Sequence, residues 1–550
     1  MPDPIRELSQ LTRALLRLPV EARALATLLT SGVVGPERPD KLIAMYQAFE
    51  RYGAIGAASS VAAIRYGARP ALVDELGTLT YAELDRRSNA LANALRARGV
   101  KAGSGVGILC RNHRGIYDAG NAALKLGARA LYLNTDFAGP QAAEVAARER
   151  VDAIVYDEEF SQTVAEVNSP AGRYVAWSDS GQASEPTLES LIASGNPEPP
   201  PPSASQGTVI ILTSGTTGIP KGANRSQPRS FVAPAAILSK IPFRSRDTAF
   251  VASPVYHAWG LGVSVLMLAM GSTIVVRRRF DPEEVLVAIA EHRCSAVVLV
   301  PVMLNRLVSH GERRFGELDL SSLRIIASSG AQLEASLATR AMDALGDIVY
   351  NLYGSTEVAW ATIATPEDLR AAPGTAGRPP LGTTVRIYDD AGNQLPTGEV
   401  GRIFVGSGME FGGYTGGGTK QTVDGLMSTG DVGHFDESGR LFVDGRDDEM
   451  IISGGENVYP REVEELLSRH DSIFEAAAIG VADPDFGQRL RVFVVKNAGH
   501  DVDEAAVKDY VRENLARYKV PRDVVFVEQL PRNPSGKVLK RELAMLEPIE

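Results

Sequence analysis

From about Leu72 onward the chain alternates short apolar runs with stretches of helical periodicity, and this restricts the fold more than any other feature. The runs 71–73, 105–109, 130–133 and 153–156 are separated by helical patterns over 80–97, 117–126 and 141–148. Strands that each return through a helix tend to pair in parallel, so the pattern predicts a largely parallel sheet covered by helices. A proline-rich run, 196–202, interrupts it as a stiff, exposed connector and leads into a strand over 208–212. The uncharged stretch 259–276 approaches the length of a membrane span, but Gly271 and Ser272 break it and β-branched residues follow. It therefore reads as a buried helix followed by a buried strand.

After Val443, Gly445-Arg446-Asp447-Asp448 precedes a fresh alternation of strands and helices that ends near Leu546. The expected fold class is α/β (mixed α+β). A large N-terminal domain of helix-covered, largely parallel sheets (61–447) follows a helical extension (1–60) and precedes a small α/β C-terminal domain (448–550), within the usual size range of a domain. In the extension, leucines 8, 11, 15, 18, 25 and 29 recur at near-helical spacing among Arg6, Arg13, Arg17 and Arg23. Two alternatives stand for 5–29: a helix packed on the rest of the protein, or an amphipathic helix in peripheral contact with the inner membrane surface.

Charge and cysteine content narrow the function. With 57 basic and 67 acidic residues the formal charge is -10, which repels polyphosphate backbones and disfavours nucleic acid as a partner. Only Cys110 and Cys294 are present, and the seven histidines lack metal-site spacing. Asp3, Arg6 and Glu7 precede any long apolar run, unlike a secretory signal. A cytoplasmic protein without a transmembrane segment is expected.

The strand over 208–212 runs into Thr213-Ser214-Gly215-Thr216-Thr217-Gly218-Ile219-Pro220-Lys221-Gly222. Glycines that expose backbone N–H groups, four hydroxyls and the Lys221 ammonium together suit a polyphosphate. A P-loop NTPase would carry glycine directly before the lysine, where Pro220 stands here.

These residues resemble the adenylate-forming superfamily of acyl-CoA synthetases, luciferase-like enzymes and peptide-synthetase adenylation domains. The resemblance continues in order through Tyr353-Gly354-Ser355-Thr356-Glu357, Ser428-Thr429-Gly430-Asp431, Gly445-Arg446, Gly454-Gly455-Glu456-Asn457-Val458-Tyr459-Pro460 and Pro534-Ser535-Gly536-Lys537. It implies ATP, Mg²⁺ and coenzyme A as cofactor and co-substrates. The loop Thr213–Gly218 and Lys221 would hold phosphates, Thr356 would touch the α-phosphate, and Glu357 would hold Mg²⁺ with Thr213 as a second oxygen ligand. Asp431 and Arg446 correspond to ribose ligands. Gly330, Ala331 and Gln332, within Ser328–Gln332, match the loop on one side of adenine, with Asn351, Leu352, Tyr353 and Gly354 on the other, Tyr353 stacking on the purine.

Ser253-Pro254-Val255-Tyr256-His257 matches a motif bordering the carboxylate site, and His257 would act there as a positioning group. Lys537 would neutralise charge at the α-phosphate. The resemblance further implies that the C-terminal domain is mobile, rotating about Asp448 so that Gly454-Gly455 replaces Lys537 for thiol transfer.

The implied reaction activates a carboxylic acid as acyl-AMP and passes it to coenzyme A. The apolar run 259–270 points to a medium- or long-chain fatty acid. An acyl-AMP ligase loading a carrier protein shares the motifs, but such relatives usually show an altered phosphate loop and an insertion, neither of which is seen. An inactive nucleotide or acyl-chain sensor conflicts with intact Lys537, Asp431 and Glu357. The sequence departs from many relatives at Ala223-Asn224-Arg225-Ser226-Gln227, where a histidine-containing run is common, and the glycine-rich stretch 412–418 reads as a mobile loop. Every motif lies downstream of 5–29, which leaves that helix outside the chemistry.

Overall fold

The computed structural model describes residues 4–181, 183–213, 221–225, 230–311, 314–409, 411–447, 451–453, 456–483, 487–515, 519–533 and 536–546. Ser214, Gly215, Thr216, Thr217, Gly218, Asp448, Gly454 and Gly455 lie outside them.

Two large sheets build most of the N-terminal domain. One runs in the order Thr362–Ala364, Val349–Tyr353, Ile325–Ser328, Ala296–Leu299, Thr248–Val251, Thr273–Val275, Pro70–Asp74, Gly77–Thr80, parallel except at its two edges. The other runs Phe411–Tyr414, Lys221–Arg225, Thr208–Thr213, Arg129–Tyr132, Gly105–Leu109, Val151–Asp157, Arg173–Trp177, and is parallel from Thr208–Thr213 onward. Central strands such as Ala296–Leu299 are buried at every residue, which is why they read as unbroken apolar runs. Some helices enter with side-chain caps: Thr80 and Glu83 form a reciprocal capping box ahead of Tyr81–Ala97. The predicted buried helix and strand at 259–276 are Ala258–Ala269 and Thr273–Val275, and among the described residues no helix is long and apolar enough to cross a membrane.

A third, antiparallel sheet of Thr384–Tyr388, Gly401–Gly406, Leu426–Phe435, Thr422–Val423 and Leu441–Arg446 completes this domain. The smaller C-terminal domain has its own sheet, in which Ile473–Asp483 and Gly487–Lys496 form the long central pair, and its own core around Val463, Leu467, Val492 and Val507.

The extension consists of helices Pro4–Ser31, Pro39–Gly56 and Ala58–Tyr66. Ala24 and Leu28 are buried in the main core, Ser230 Oγ donates to Glu21 at 2.7 Å, and Ser245 N donates to Ser31 O at 2.8 Å. Of the two alternatives for 5–29, the packed helix is the one observed in its C-terminal half. The proline-rich connector is likewise strapped down rather than free: Asn93 Nδ2 donates to the carbonyls of Asn196 and Glu198 at 2.9 Å each.

Candidate active site

A single cavity of about 1540 Å³ runs between the two domains and into the N-terminal one. Lys221 lines it, and Thr213 and Lys221 are partners across paired strands. Lys221 Nζ sits 5.3 Å from the Tyr414 ring centroid, a cation over an aromatic face. Tyr414 Oη donates to Glu357 Oε1 at 2.7 Å, and Ser355 Oγ donates to Glu357 Oε2 at 2.9 Å. Burial and the adjacent Glu357 carboxylate both push the Tyr414 phenol above its ordinary range, so it remains a donor.

Residues 411–414 are thus an edge strand rather than the expected mobile loop. The strand pairs with Lys221–Arg225, and Thr415 anchors the turn after it to Gly222 O (2.9 Å) and Glu149 Oε1 (2.6 Å). The residues around Glu357 fit a hard divalent cation. The donors are all oxygen, and each carboxylate oxygen accepts one of the two hydroxyls while keeping a second lone pair.

Elsewhere on the cavity, Asp431 and Arg446 are directly paired on neighbouring strands. Arg446 Nη1 donates to Asp431 Oδ1 at 3.2 Å and Tyr353 Oη to Oδ2 at 2.5 Å, while Asp431 N is held by Thr429 Oγ1 at 3.0 Å. Burial, then the Asp431 charge, keep the Tyr353 phenol protonated well above its usual range. Beside it, Ile325–Ser328 and Val349–Tyr353 are parallel neighbours with Ser328 opposite Asn351. Gly330 takes φ +91 in the loop that follows, and a Cβ on Gly354 would stand 2.2 Å from the Ala359 carbonyl, so both positions need glycine. Asn351 lines the cavity with its Oδ1 buried and unpaired among the described residues, an acceptor suited to a ligand N–H.

The C-terminal domain closes this end. Lys537 lines the cavity with an exposed side chain, its backbone N bonded to Asn533 Oδ1 at 2.8 Å. Gly536, at φ +79, sits so close to Val302 that a Cβ would meet its Cγ1 at 2.6 Å. Gln332 Nε2 bridges the domains to Glu465 Oε1 at 3.0 Å, and Arg461 Nε reaches the same oxygen at 3.0 Å. Glu334 lies among Glu475, Glu464 and Glu465. Burial first, then Glu475, raises its carboxyl to about 7, with Arg532 pulling the other way. Arg461, Glu465, Arg532 and Glu334 carried no motif signal, because their proximity arises only when the domains meet.

At the acid end, His257 begins the helix Ala258–Ala269. Its Nε2 is enclosed without a partner among the described residues, and burial lowers its pKa to about 4, leaving a neutral imidazole. Tyr256 stacks at an angle against it, centroids 4.6 Å apart, and receives a hydrogen bond from Thr135 Oγ1 at 2.9 Å. Beyond His257 the wall turns apolar. Ala258, Gly262, Val265 and Ala269 share one helix face and line the cavity together with Val209, Ile211 and Ile237, and a Cβ on Gly262 would meet nothing within 4 Å. Outside the residues that line this cavity, Cys110, His113 and Asp157 converge in the core, but His113 uses Nε2 on Asp157 (2.7 Å) and Nδ1 on Gly115 N (3.1 Å), a satisfied structural histidine.

A large parallel-sheet domain capped by a small mixed domain, with Lys221, Thr356, Glu357, Asp431, Arg446 and Lys537 of the ordered motifs on one cavity, defines an adenylate-forming enzyme. The chain belongs to the AMP-binding enzyme family: the family model matches residues 60–415, and the AMP-binding enzyme C-terminal domain matches 462–537. It is 35% identical over 470 residues to a feruloyl-CoA synthase of Amycolatopsis sp, covering 84% of this chain and 93% of that one. It is also 30% identical over 473 residues to a long-chain-fatty-acid–CoA ligase of Mycobacterium tuberculosis, covering 84% and 92%. The structure of o-succinylbenzoate CoA synthetase from Bacillus subtilis, in complex with its acyl-adenylate intermediate, superposes with a TM-score of 0.78 at 27% identity, covering 90% of this chain and 99% of that one.

Proposed function

We propose that this protein is an ATP-dependent acid–CoA ligase acting in the cytoplasm on long apolar carboxylic acids, of the medium- or long-chain fatty acid class. The observation that carries the reading is the continuity of one cavity: charged and hydroxyl residues at the nucleotide end, and an apolar channel past His257 wide enough to leave Gly262 uncovered.

In the first step a carboxylate oxygen bonds to the α-phosphorus and the bond to pyrophosphate breaks, giving acyl-AMP. Asp431 and Arg446 hold the ribose hydroxyls, Thr356 donates to the α-phosphate, and the Lys537 ammonium offsets the charge that builds there. Glu357, with Thr213, would hold the Mg²⁺, which supplies charge neutralisation on the phosphates. Neutral His257 offers its unpaired ring nitrogen to orient the acid.

In the second step the coenzyme A sulfur bonds to the acyl carbon, the carbon–oxygen bond to AMP breaks, and the thiol proton is released. The C-terminal domain, taken as 448–550, turns about Asp448 between steps and exchanges Lys537 for Gly454-Gly455. The present orientation, with Lys537 on the cavity, suits the first step.

The test is a panel of linear and aromatic acids assayed for pyrophosphate release with ATP alone and for AMP formation with coenzyme A. Long linear acids are expected to lead. Turnover restricted to aromatic acids would overturn the substrate class, and acyl transfer to a carrier protein but not to coenzyme A would overturn the acceptor.

A further inference from the structure

The family model begins at residue 60, yet residues before it also line the cavity: Leu28, Val33, Met45, Phe49 and Ala54. This wall is a built part of the fold. Arg65, whose side chain is 7% exposed, bonds Glu37 Oε1 at 2.8 Å and Val33 O at 2.5 Å, tying the link between the first two helices to the third. Gly32 takes φ +79 and fits so tightly against Ser245 that a Cβ would lie 2.8 Å from its Cβ. Gln206 Nε2 donates to Glu50 O at 3.1 Å, fixing the second helix from its other side.

The helix Ala258–Ala269 links the two ends. It starts at His257, and just past its other end a Cβ on Gly271 would lie 2.3 Å from the Tyr66 ring of the third helix. Twelve helical residues span ~18 Å, and carbon–carbon bonds of ~1.5 Å advance an extended chain by ~1.3 Å each, so about 14 carbons fill that length. A longer chain whose carboxylate lies beside His257 runs past that helix into the part of the cavity that Met45, Phe49 and Ala54 help to line.

We infer that the N-terminal helices are the end wall of the acyl channel and set the length of acid it takes, an inference that rests on reading this cavity as the acid site. Ala54→Trp fills the space the chain end needs, and Phe49→Ala opens it. In the full-length enzyme, Ala54→Trp is expected to lower the ratio of kcat/KM for octadecanoate to that for octanoate by about tenfold or more. Phe49→Ala should move the preference toward longer acids. An unchanged ratio in both variants, with melting temperatures near wild type, overturns the inference while leaving the ligase reading intact. If Ala54→Trp does not fold, Phe49→Ala decides alone.

A binding readout stands beside the kinetics: hexadecanoate carrying a terminal diazirine, irradiated in the intact enzyme, should label residues 39–56, and labelling confined to other segments overturns the inference. A wild type that turns over no linear acid removes the fatty-acid reading itself, and this inference with it.

Discussion

The two ends of the cavity are built on different principles. At the end proposed for the nucleotide, single polar atoms are held by neighbours: Asp431 by Arg446, Tyr353 and Thr429, and Glu357 by Ser355 and Tyr414. At the end proposed for the acid, mostly apolar helix faces leave a space in which His257 Nε2 and Ser253 Oγ are buried polar atoms without a partner among the described residues. A charged, directional ligand needs particular side chains at particular points, whereas an alkyl chain needs only volume and the exclusion of water. Changes at the first end should therefore be steep and indifferent to the acid. Changes at the second should be graded by acid length.

The largest expected effect, and the sharpest test of that contrast, is at Lys537. Lys537→Ala should slow single-turnover acyl-AMP formation by about 10²–10³, roughly 3–4 kcal/mol, the usual cost of losing one well-placed electrostatic donor. Octanoate and octadecanoate should suffer alike. Thioester formation from supplied acyl-AMP and coenzyme A should fall much less, since that step uses the other domain orientation. Equal losses in both half-reactions would remove the domain-alternation reading.

Asp431→Ala comes next. It strands two donors, Arg446 and Tyr353, and withdraws the acceptor proposed for the ribose. Losing a charge-assisted contact of this kind costs about 2–3 kcal/mol, or about 30- to 160-fold in KM for ATP. An unchanged KM would refute the ribose assignment.

Tyr414→Phe should act more gently. The hydroxyl removed only steadies the Glu357 carboxylate, so the Mg²⁺ concentration needed for half-maximal pyrophosphate release is expected to rise about tenfold while the saturated rate stays close to wild type. A Mg²⁺ titration that superposes on wild type would leave Tyr414 a purely structural edge residue.

The same contrast explains what the sequence could disclose. The strand over 105–109 and the helix following Thr80 were readable because local periodicity and a cap suffice to specify them. The motifs assigned to phosphate, adenine and ribose were readable through the family resemblance that several ordered motifs carry together, and their described members Lys221, Gly330, Tyr353, Thr356, Asp431 and Arg446 line one cavity. Tyr414 was not, since a tyrosine inside a glycine-rich run gives no hint that it pairs into a sheet edge and reaches Glu357. Leu28, Met45 and Phe49 were not, because apolar residues at helical spacing look alike whether they face a core, a membrane or a channel. The Gln332–Glu465 bridge joins residues 133 apart in the chain, and no local pattern encodes such a pair.

The smallest effect lies between the domains. Glu334 on the large domain is enclosed by Glu475, Glu464 and Glu465, with Arg532 as the opposing charge, and its carboxyl titrates near 7 in this orientation against an ordinary 4.5. A raised carboxyl pKa means the closed orientation holds the proton more tightly than an open one. Its stabilising contribution is therefore fully present below the ordinary carboxyl range and is lost as pH rises through about 7. Between about pH 6 and about pH 8 the closing equilibrium should weaken by about tenfold on this account. His257, neutral down to about 4, does not titrate in that window. Glu334→Gln keeps the shape and removes the charge, so it should flatten the pH dependence of acyl-AMP formation over this range and raise the rate at the alkaline end by a smaller factor, to the extent that closure limits the step. The wild-type and variant profiles, read beside a fluorescence-transfer pair reporting domain closure, test this directly. Parallel profiles in both signals would show that Glu334 keeps its proton, or never faces the acidic cluster, through the working pH range.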